Sequence, residues 1–268
     1  MKILIIGGGN MGQSFAKSFL HNHIADASNF SVIEKDISKT PELEAIGILN
    51  IHQSSGKFIE KFDLVVLAVK PQAFPALSKE MKDFISDEQV VLSIMAGISI
   101  ANIQNSLEIT KVIRAMPNMA AQIGEGMTVF TSSEEVTRIE LVTVQNLLES
   151  TGKNLYVADE ELLNVSTAIS GSGPAYVLYF MKAMMESAEE LGFTMQQAEM
   201  LTYQTFKGIV EFFQISKDSC SDMIQKVASK GGTTEAALQM FEKEAVSKAI
   251  NKAIKAANQR AIELGENN

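Results

Sequence analysis

The chain has 268 residues, a formal net charge of -9 at pH 7 and a sequence pI near 5.0, a balance that argues against a phosphate-coating surface and so against nucleic acid as a partner. Hydrophobic residues make up 46% and charged residues 21%, too apolar for a disordered chain and enough for one large domain or two ordinary ones. The single cysteine, Cys220, allows no internal disulfide, which fits a reducing, cytoplasmic setting, and the opening apolar run stops at Gly7, well short of a signal or membrane-spanning segment.

In chain order, KILII (2–6) predicts a strand that ends in Gly7-Gly8-Gly9, and MGQSFAKSFL then carries apolar residues at helical spacing. Further strands are expected at FSVIE (30–34), more weakly at GILNI (47–51), strongly at DLVVLAV (63–69), and again at VVLSI (90–94) and KVIRAM (111–116). Helical segments separate them, so the alternation implies a parallel sheet covered on both faces. GMTVF (126–130) and KNLYV (153–157) extend it, with a helix over 134–150 between them. After Val157 the strand signals vanish. Residues 159–169 read as helix, SGSGP breaks it, and apolar-periodic stretches run over 175–191 and 195–213. Pro174 suits a first helical turn, and Thr194 with Gln197 has capping-box spacing. The expected division is an α/β domain over 1–160 and an all-helical domain over 161–268. Met and Phe stripes in the latter read as core, either of an ordinary bundle or of a pairing with a second copy.

Gly7, Gly9 and Gly12 form G-x-G-x-x-G directly after a strand and opening a helix, the context in which the motif signals a dinucleotide. Glu34 ends the second strand, where a carboxylate hydrogen-bonds an adenosine ribose diol and favours NAD(H). Lys35 beside it can instead pair with a 2′-phosphate, which leaves the cofactor open. AVKPQ (68–72), SIMAGI (93–98) and RAMPN (114–118) end three strands at the edge where open α/β sheets bind ligands, although a helix-starting proline explains Pro71 without any function. SGSGPAY (170–176) and SKGGTTE (229–235) offer backbone amides and hydroxyls but no metal-ligand set and no base for a serine nucleophile. Such loops suit a small carboxylate, or serve as helix-joining turns. His21, His23 and His52 all lie in the first fifth of the chain and read as surface or loop histidines.

IIGGGNMG, LAVKPQ, SIMAGI, IRAMPN, SGSGPAY and VASKGGTTEAAL, in this order and at these spacings, resemble the pyrroline-5-carboxylate reductase family over nearly the whole chain. The resemblance implies a Rossmann N-terminal domain, a helical C-terminal dimerisation domain and often a ring of dimers. It also implies reduction of 1-pyrroline-5-carboxylate to L-proline by NADPH or NADH. A protonated imine needs mainly alignment, which fits the absence of a histidine base or a metal set in these motifs. Carried over to matching positions, Ile6, Gly7, Gly8, Gly9, Asn10 and Met11 cradle the pyrophosphate. Ala68, Val69, Lys70, Pro71 and the Ala96-Gly97 turn border the ribose and nicotinamide, and Ser55 lies near the adenosine. Gly231, Gly232, Thr233 and Thr234 hold the substrate carboxylate, with Thr234 near the ring nitrogen as the catalytic position. Ser172 shapes the pocket, and the substrate loop is expected from the partner subunit.

The chain departs from the family pattern at Lys230, where proline is usual, at ISKDSCSDM, which lacks the proline and the particular acidic residue often found before this helix, and at Glu34, where a small or basic residue is usual. Two other functions compete: a non-catalytic dinucleotide-binding homologue with a sensing role, for which Lys230 is the best support, and a β-hydroxyacid dehydrogenase, for which Lys182 is the available lysine.

Overall fold

The computed structural model describes every residue except 23–25 and 267–268, with only the backbone of Glu266 described. His23 therefore lies outside the described residues. By packing the chain forms two compact units, Met1–Ser172 together with the residues from Ala257 onward, and Gly173–Ala256. That division falls after the sequence-based one at 160/161 and returns the end of the last helix to the first unit.

In the first unit, β1 (Ile3–Ile6), α1 (Asn10–His21), β2 (Phe30–Ile33), α2 (Thr40–Ala45), β3 (Asn50–His52), β4 (Leu64–Leu67), α3 (Phe74–Met81) and β5 (Val90–Ser93) follow in turn. Then come α4 (Ile100–Leu107), β6 (Val112–Met116), β7 (Gly126–Ser132), α5 (Arg138–Glu149), β8 (Gly152–Tyr156) and the short α6 (Leu162–Ser166). The eight strands form one sheet in the order β3-β2-β1-β4-β5-β6-β7-β8. Every residue of β1, β2, β4 and β5 is buried, because side chains alternate between two covered faces. Ile3 and Ile5 pack with Phe15 and Phe19 of α1 and Leu147 and Leu148 of α5, while Leu4 and Ile6 pack with Leu77 of α3 and Ile103 of α4. The weak strand expected over 47–51 forms only at Asn50–His52; Gly47 turns the chain at φ +94 and Ile48 enters the core.

The sheet is not wholly parallel: β7 runs antiparallel to β6, and β8 parallel to β7. The connection from Met116 to Gly126 holds only a 3-10 turn over Met119–Ile123, too short to carry the chain back for a parallel strand, whereas α5 makes that crossover between β7 and β8. Asn118 organises the turn, its side-chain oxygen accepting from the amides of Ala120 at 3.2 Å and Met127 at 3.3 Å.

Arg114, in the middle of β6, is buried rather than presented at the sheet edge. Its guanidinium donates to Glu160 at 2.7 Å and to Asn164 at 3.3 Å, and Glu160 also accepts from the amide of Ile100 at the start of α4. This pair ties α4 and α6 to the sheet. Removing one partner strands a buried charge, so Glu160→Gln is expected to cost about 3 kcal/mol, read as a lower urea midpoint.

SGSGP does not interrupt the helix as its glycines suggest. Thr167–Gly171 forms a π-helical turn, and Ser172 stays in the α region with its amide donating to the carbonyl of Thr167. A Cβ on Gly171 would lie 2.8 Å from Cε of Met116, so the glycine serves a close approach to β6 and not a break.

The second unit holds α7 (Gly173–Glu190), α8 (Met195–Ile215), α9 (Cys220–Val227), α10 (Thr233–Lys243) and the start of α11 (Val246–Glu266). Gly192, at φ +106, ends α7, and the expected Thr194–Gln197 capping box opens α8. A second box, Ser219 with Asp222, opens α9 in the segment that departs from the family pattern. The Met and Phe stripes are not core of this unit in the single chain. No residue of α7 or α10 is buried, and Met184, Met195, Met200, Phe212 and Phe213 are exposed. Among the described residues no helix is long and apolar enough to cross a membrane.

Candidate functional site

The sheet order reverses between β1 and β4, and ligands of open α/β sheets bind in the crevice outside the carboxyl ends of strands at such a switch point. Ile6 ends β1 there, and its carbonyl accepts from the amide of Ala68, which follows β4. Gly7 sits at φ +109 and donates its amide to the carbonyl of Ile33; a Cβ on it would lie 2.6 Å from the carbonyl oxygen of Ala68. Gly12, the third motif glycine, is pressed harder still, since a Cβ there would lie 1.9 Å from the carbonyl oxygen of Gly7. These two glycines serve the turn and the packing of α1 on β1.

Gly9 differs: it is the N-cap of α1 and a Cβ on it would meet nothing within 4 Å. The open side of this glycine is where a ligand can approach the backbone. Gly9, Asn10 and Met11 supply amides at the start of a twelve-residue helix, where donors lack intrahelical partners and the helix dipole favours an anion. Gly8 does not join them, because its amide donates to Glu34 Oε2 at 2.8 Å.

Glu34 is largely buried behind the glycine loop. Its second oxygen accepts from the amide of Asp36, and Lys39 pairs with it at 3.0 Å. Burial pushes its carboxyl up, but the bonds from Asp36, Lys39 and Gly8 outweigh that and hold it below the usual glutamate range. A carboxylate depressed in the folded state stabilises the fold above its unfolded pKa, and that contribution is lost as pH falls through the folded value. Lys35 points its charge elsewhere, onto Glu80 at 2.9 Å.

Ser55 follows β3, and its hydroxyl is buried with no protein partner. Nearby in sequence, His52 stacks on Phe58 with ring centroids 3.8 Å apart, and burial lowers its pKa. Val69 packs against the core face that holds Leu4 and Ile6, Lys70 is exposed, and Pro71 begins a 3-10 turn that leads into α3, the role its residue type alone accounts for. Ala96 and Gly97 follow β5 on the same edge. Gly97, at φ +78, is approached by the end of α11: a Cβ on it would lie 3.2 Å from the amide nitrogen of Gly265. The open glycine, the helix amides and the unpartnered Ser55 hydroxyl fit a dinucleotide laid across this edge.

In the second unit, SKGGTTE is the tight link between α9 and α10. Gly231 takes φ +75, the amide of Gly232 donates to the carbonyl of Ser229, and Gly232 is the N-cap of α10. Thr233 and Thr234 open the helix, so their amides are among those without an intrahelical acceptor. Glu235 reaches back and accepts from the amide of Gly231 at 2.6 Å. The spacing of Glu235 from the N-cap, the third helical position, carries the signal of a capping carboxylate. Lys230 is exposed. Thr234 also lines an apolar cavity of about 450 Å³ with Val210, Phe213 and Ile224; its walls suit an apolar side chain and not a charged ring. Ser172 belongs by packing to the first unit, unlike the other substrate positions. Lys182 is exposed on α7, 3.5 Å from Glu186 one turn on, a solvated helix pair and not the setting of a catalytic lysine.

Residues 160–264 match the family model for pyrroline-5-carboxylate reductase dimerisation, and residues 2–97 match that for NADP oxidoreductase, coenzyme F420-dependent. The chain is 31% identical to the pyrroline-5-carboxylate reductase of Pseudomonas aeruginosa, over 99% of this chain and 97% of that one. It is 32% identical to that of Aquifex aeolicus, over 98% and 97%. A pyrroline-5-carboxylate reductase structure from Coxiella burnetii matches at a TM-score of 0.89 and 32% identity, over 98% of each chain. The Plasmodium falciparum pyrroline carboxylate reductase, solved with NADP bound, matches at 0.89 and 25%, over 99% of this chain and 98% of that one. On whole-length identity above 30% to the Pseudomonas aeruginosa and Aquifex aeolicus enzymes, this chain belongs to the pyrroline-5-carboxylate reductase family.

Proposed function

We infer that the protein reduces 1-pyrroline-5-carboxylate to L-proline with NADPH or NADH. The observation that carries this is its likeness, end to end, to enzymes named for that reaction. Gly9, Asn10 and Met11 hold the pyrophosphate through their amides, Gly12 and Gly7 keep the loop in register, and Ser55 gives its hydroxyl to the adenosine end. Ala68 to Pro71 and Ala96-Gly97 border the nicotinamide half. When bound, the reduced nicotinamide supplies the hydride. Gly231 and Gly232 shape the loop, their amides held by Glu235 and Ser229, the amides of Thr233 and Thr234 orient the substrate by its carboxylate, and the Thr234 hydroxyl bonds the ring nitrogen, whose proton makes the imine carbon electrophilic. Lys230, exposed beside the loop, adds positive potential for the incoming carboxylate. A sensing role without catalysis is not favoured, since the loop keeps the Thr233 and Thr234 amides and hydroxyls at the open start of α10.

The helical unit pairs with a second copy, supported by its match to a dimerisation family and by its exposed apolar faces. Dimers join into a ring in the cytoplasm, which the unpaired, exposed Cys220 suits. The test is oxidation of NADH or NADPH on adding 1-pyrroline-5-carboxylate, compared with Thr234→Ala. That variant is expected to lose roughly 10- to 100-fold in kcat, the worth of a hydrogen bond to a charged group, while dinucleotide affinity stays unchanged. Equal turnover by the variant would remove Thr234 from the reaction.

A further inference from the structure

We propose that Glu34 makes this protein selective for NADH over NADPH, by holding a fixed negative charge where the adenosine 2′-phosphate of NADPH would lie. The residue directly follows β2, and its carboxylate touches Gly8 of the dinucleotide loop. This is the position from which an acidic side chain accepts a hydrogen bond from the ribose 2′-hydroxyl.

Three features make the charge poorly screened and fixed in place. The side chain is only 10% exposed, so water screens it poorly. Its two oxygens are anchored by the amides of Gly8 and Asp36 and by Lys39, so it cannot swing away to admit a phosphate. There is also no slack behind it, since a Cβ built on Gly8 would already lie 3.0 Å from Glu34 Oε2.

Lys39 offsets part of this charge, but neither neighbouring lysine is left free for a phosphate. A 2′-phosphate site needs lysine or arginine donors free to turn to the phosphate. Here Lys39 is committed to Glu34, and Lys35 is committed to both oxygens of Glu80 at 2.9 and 3.0 Å. Asp36 adds a further carboxylate, fixed by the amide and hydroxyl of Ser38. A 2′-phosphate would therefore meet the carboxylates of Glu34 and Asp36 with the two lysines of the segment already paired. The 2′-hydroxyl of NADH has no charge to repel, and a carboxylate oxygen of Glu34 retains an accepting lone pair for it. Selectivity arises as much from repelling the wrong cofactor as from binding the right one.

The inference rests on the reductase reading only for what happens in turnover; binding tests it independently. Isothermal titration calorimetry of the full chain with NADH and with NADPH should show NADPH at least ~10-fold weaker. Glu34→Gln keeps the bond to the Gly8 amide and removes the charge, and should shrink the gap at least ~5-fold, mostly by tightening NADPH. NADPH binding as tightly as NADH to the unaltered protein overturns the inference whatever the variant does. So does a gap left intact in Glu34→Gln and Glu34→Ser. Selective NADH binding without turnover of 1-pyrroline-5-carboxylate would sustain the inference and sink the reductase reading, while binding of neither cofactor would sink both.

Discussion

Gly12→Ala should abolish measurable dinucleotide binding, with a loss of at least ~100-fold in affinity, and should lower the melting temperature as well. The added methyl would lie 1.9 Å from the carbonyl oxygen of Gly7 and 3.1 Å from its carbon. Both are backbone atoms, and Gly7 is itself pinned by its bond to Ile33 and by Ala68. Neither partner can rotate away, so the start of α1 must lift off β1, and the amides of Gly9, Asn10 and Met11 lose their common aim. Overpacking of this kind costs about 1–3 kcal/mol or more in stability. Gly9→Ala is the control, because its methyl meets nothing within 4 Å. That variant should melt with the unaltered protein yet bind dinucleotide roughly 10- to 100-fold more weakly, since the methyl occupies the approach to the phosphates. Calorimetry and thermal melting on both variants separate the glycine that packs from the glycine that admits the ligand; equal behaviour of the two would contradict the assignment.

A single charge on the helical unit should dissociate the assembly. An eighteen-residue helix without one buried residue, α7, is not a stable surface in water. Val210 on α8 is 63% exposed and lines the apolar cavity beside Thr234. Val210→Asp alters an exposed position and no buried residue of the single chain, but burying an unpaired carboxylate between copies costs several kcal/mol. Light scattering after size exclusion should show the unaltered protein at a multiple of 29.2 kDa and the variant shifted toward the single-chain mass. A multiple corresponding to several dimers would support the ring. An unaltered protein that runs at the single-chain mass would overturn the oligomeric reading.

The strands were legible because a doubly covered sheet demands unbroken apolar runs, and LVVL and VVLS are hard to place otherwise. The direction of β7 was not, because it depends on how much chain Pro117 to Glu125 can span once folded into a 3-10 turn, and not on the composition of the strand. The motif glycines were readable as a set but not individually. Gly97 owes its tight surroundings to Gly265, far along the chain, and Gly8 spends its amide on Glu34. Lys39 gave no signal as the partner of Glu34, since only the Ile37–Lys39 turn brings it back. In the helical unit, the apolar stripes predicted a core, and a single chain leaves them uncovered. Glu235 carried a visible cue in its spacing from Gly232, and its bond to Gly231 shows the loop is braced from within.

The central claim is tested most directly by tracing the transferred hydrogen. Purified protein given 1-pyrroline-5-carboxylate and NADH carrying deuterium at both nicotinamide C4 positions should yield L-proline carrying one deuterium at the carbon of the former C=N bond. One proline should appear for each NADH oxidised. NADH consumed without labelled proline, or bound with no proline formed, would contradict the account.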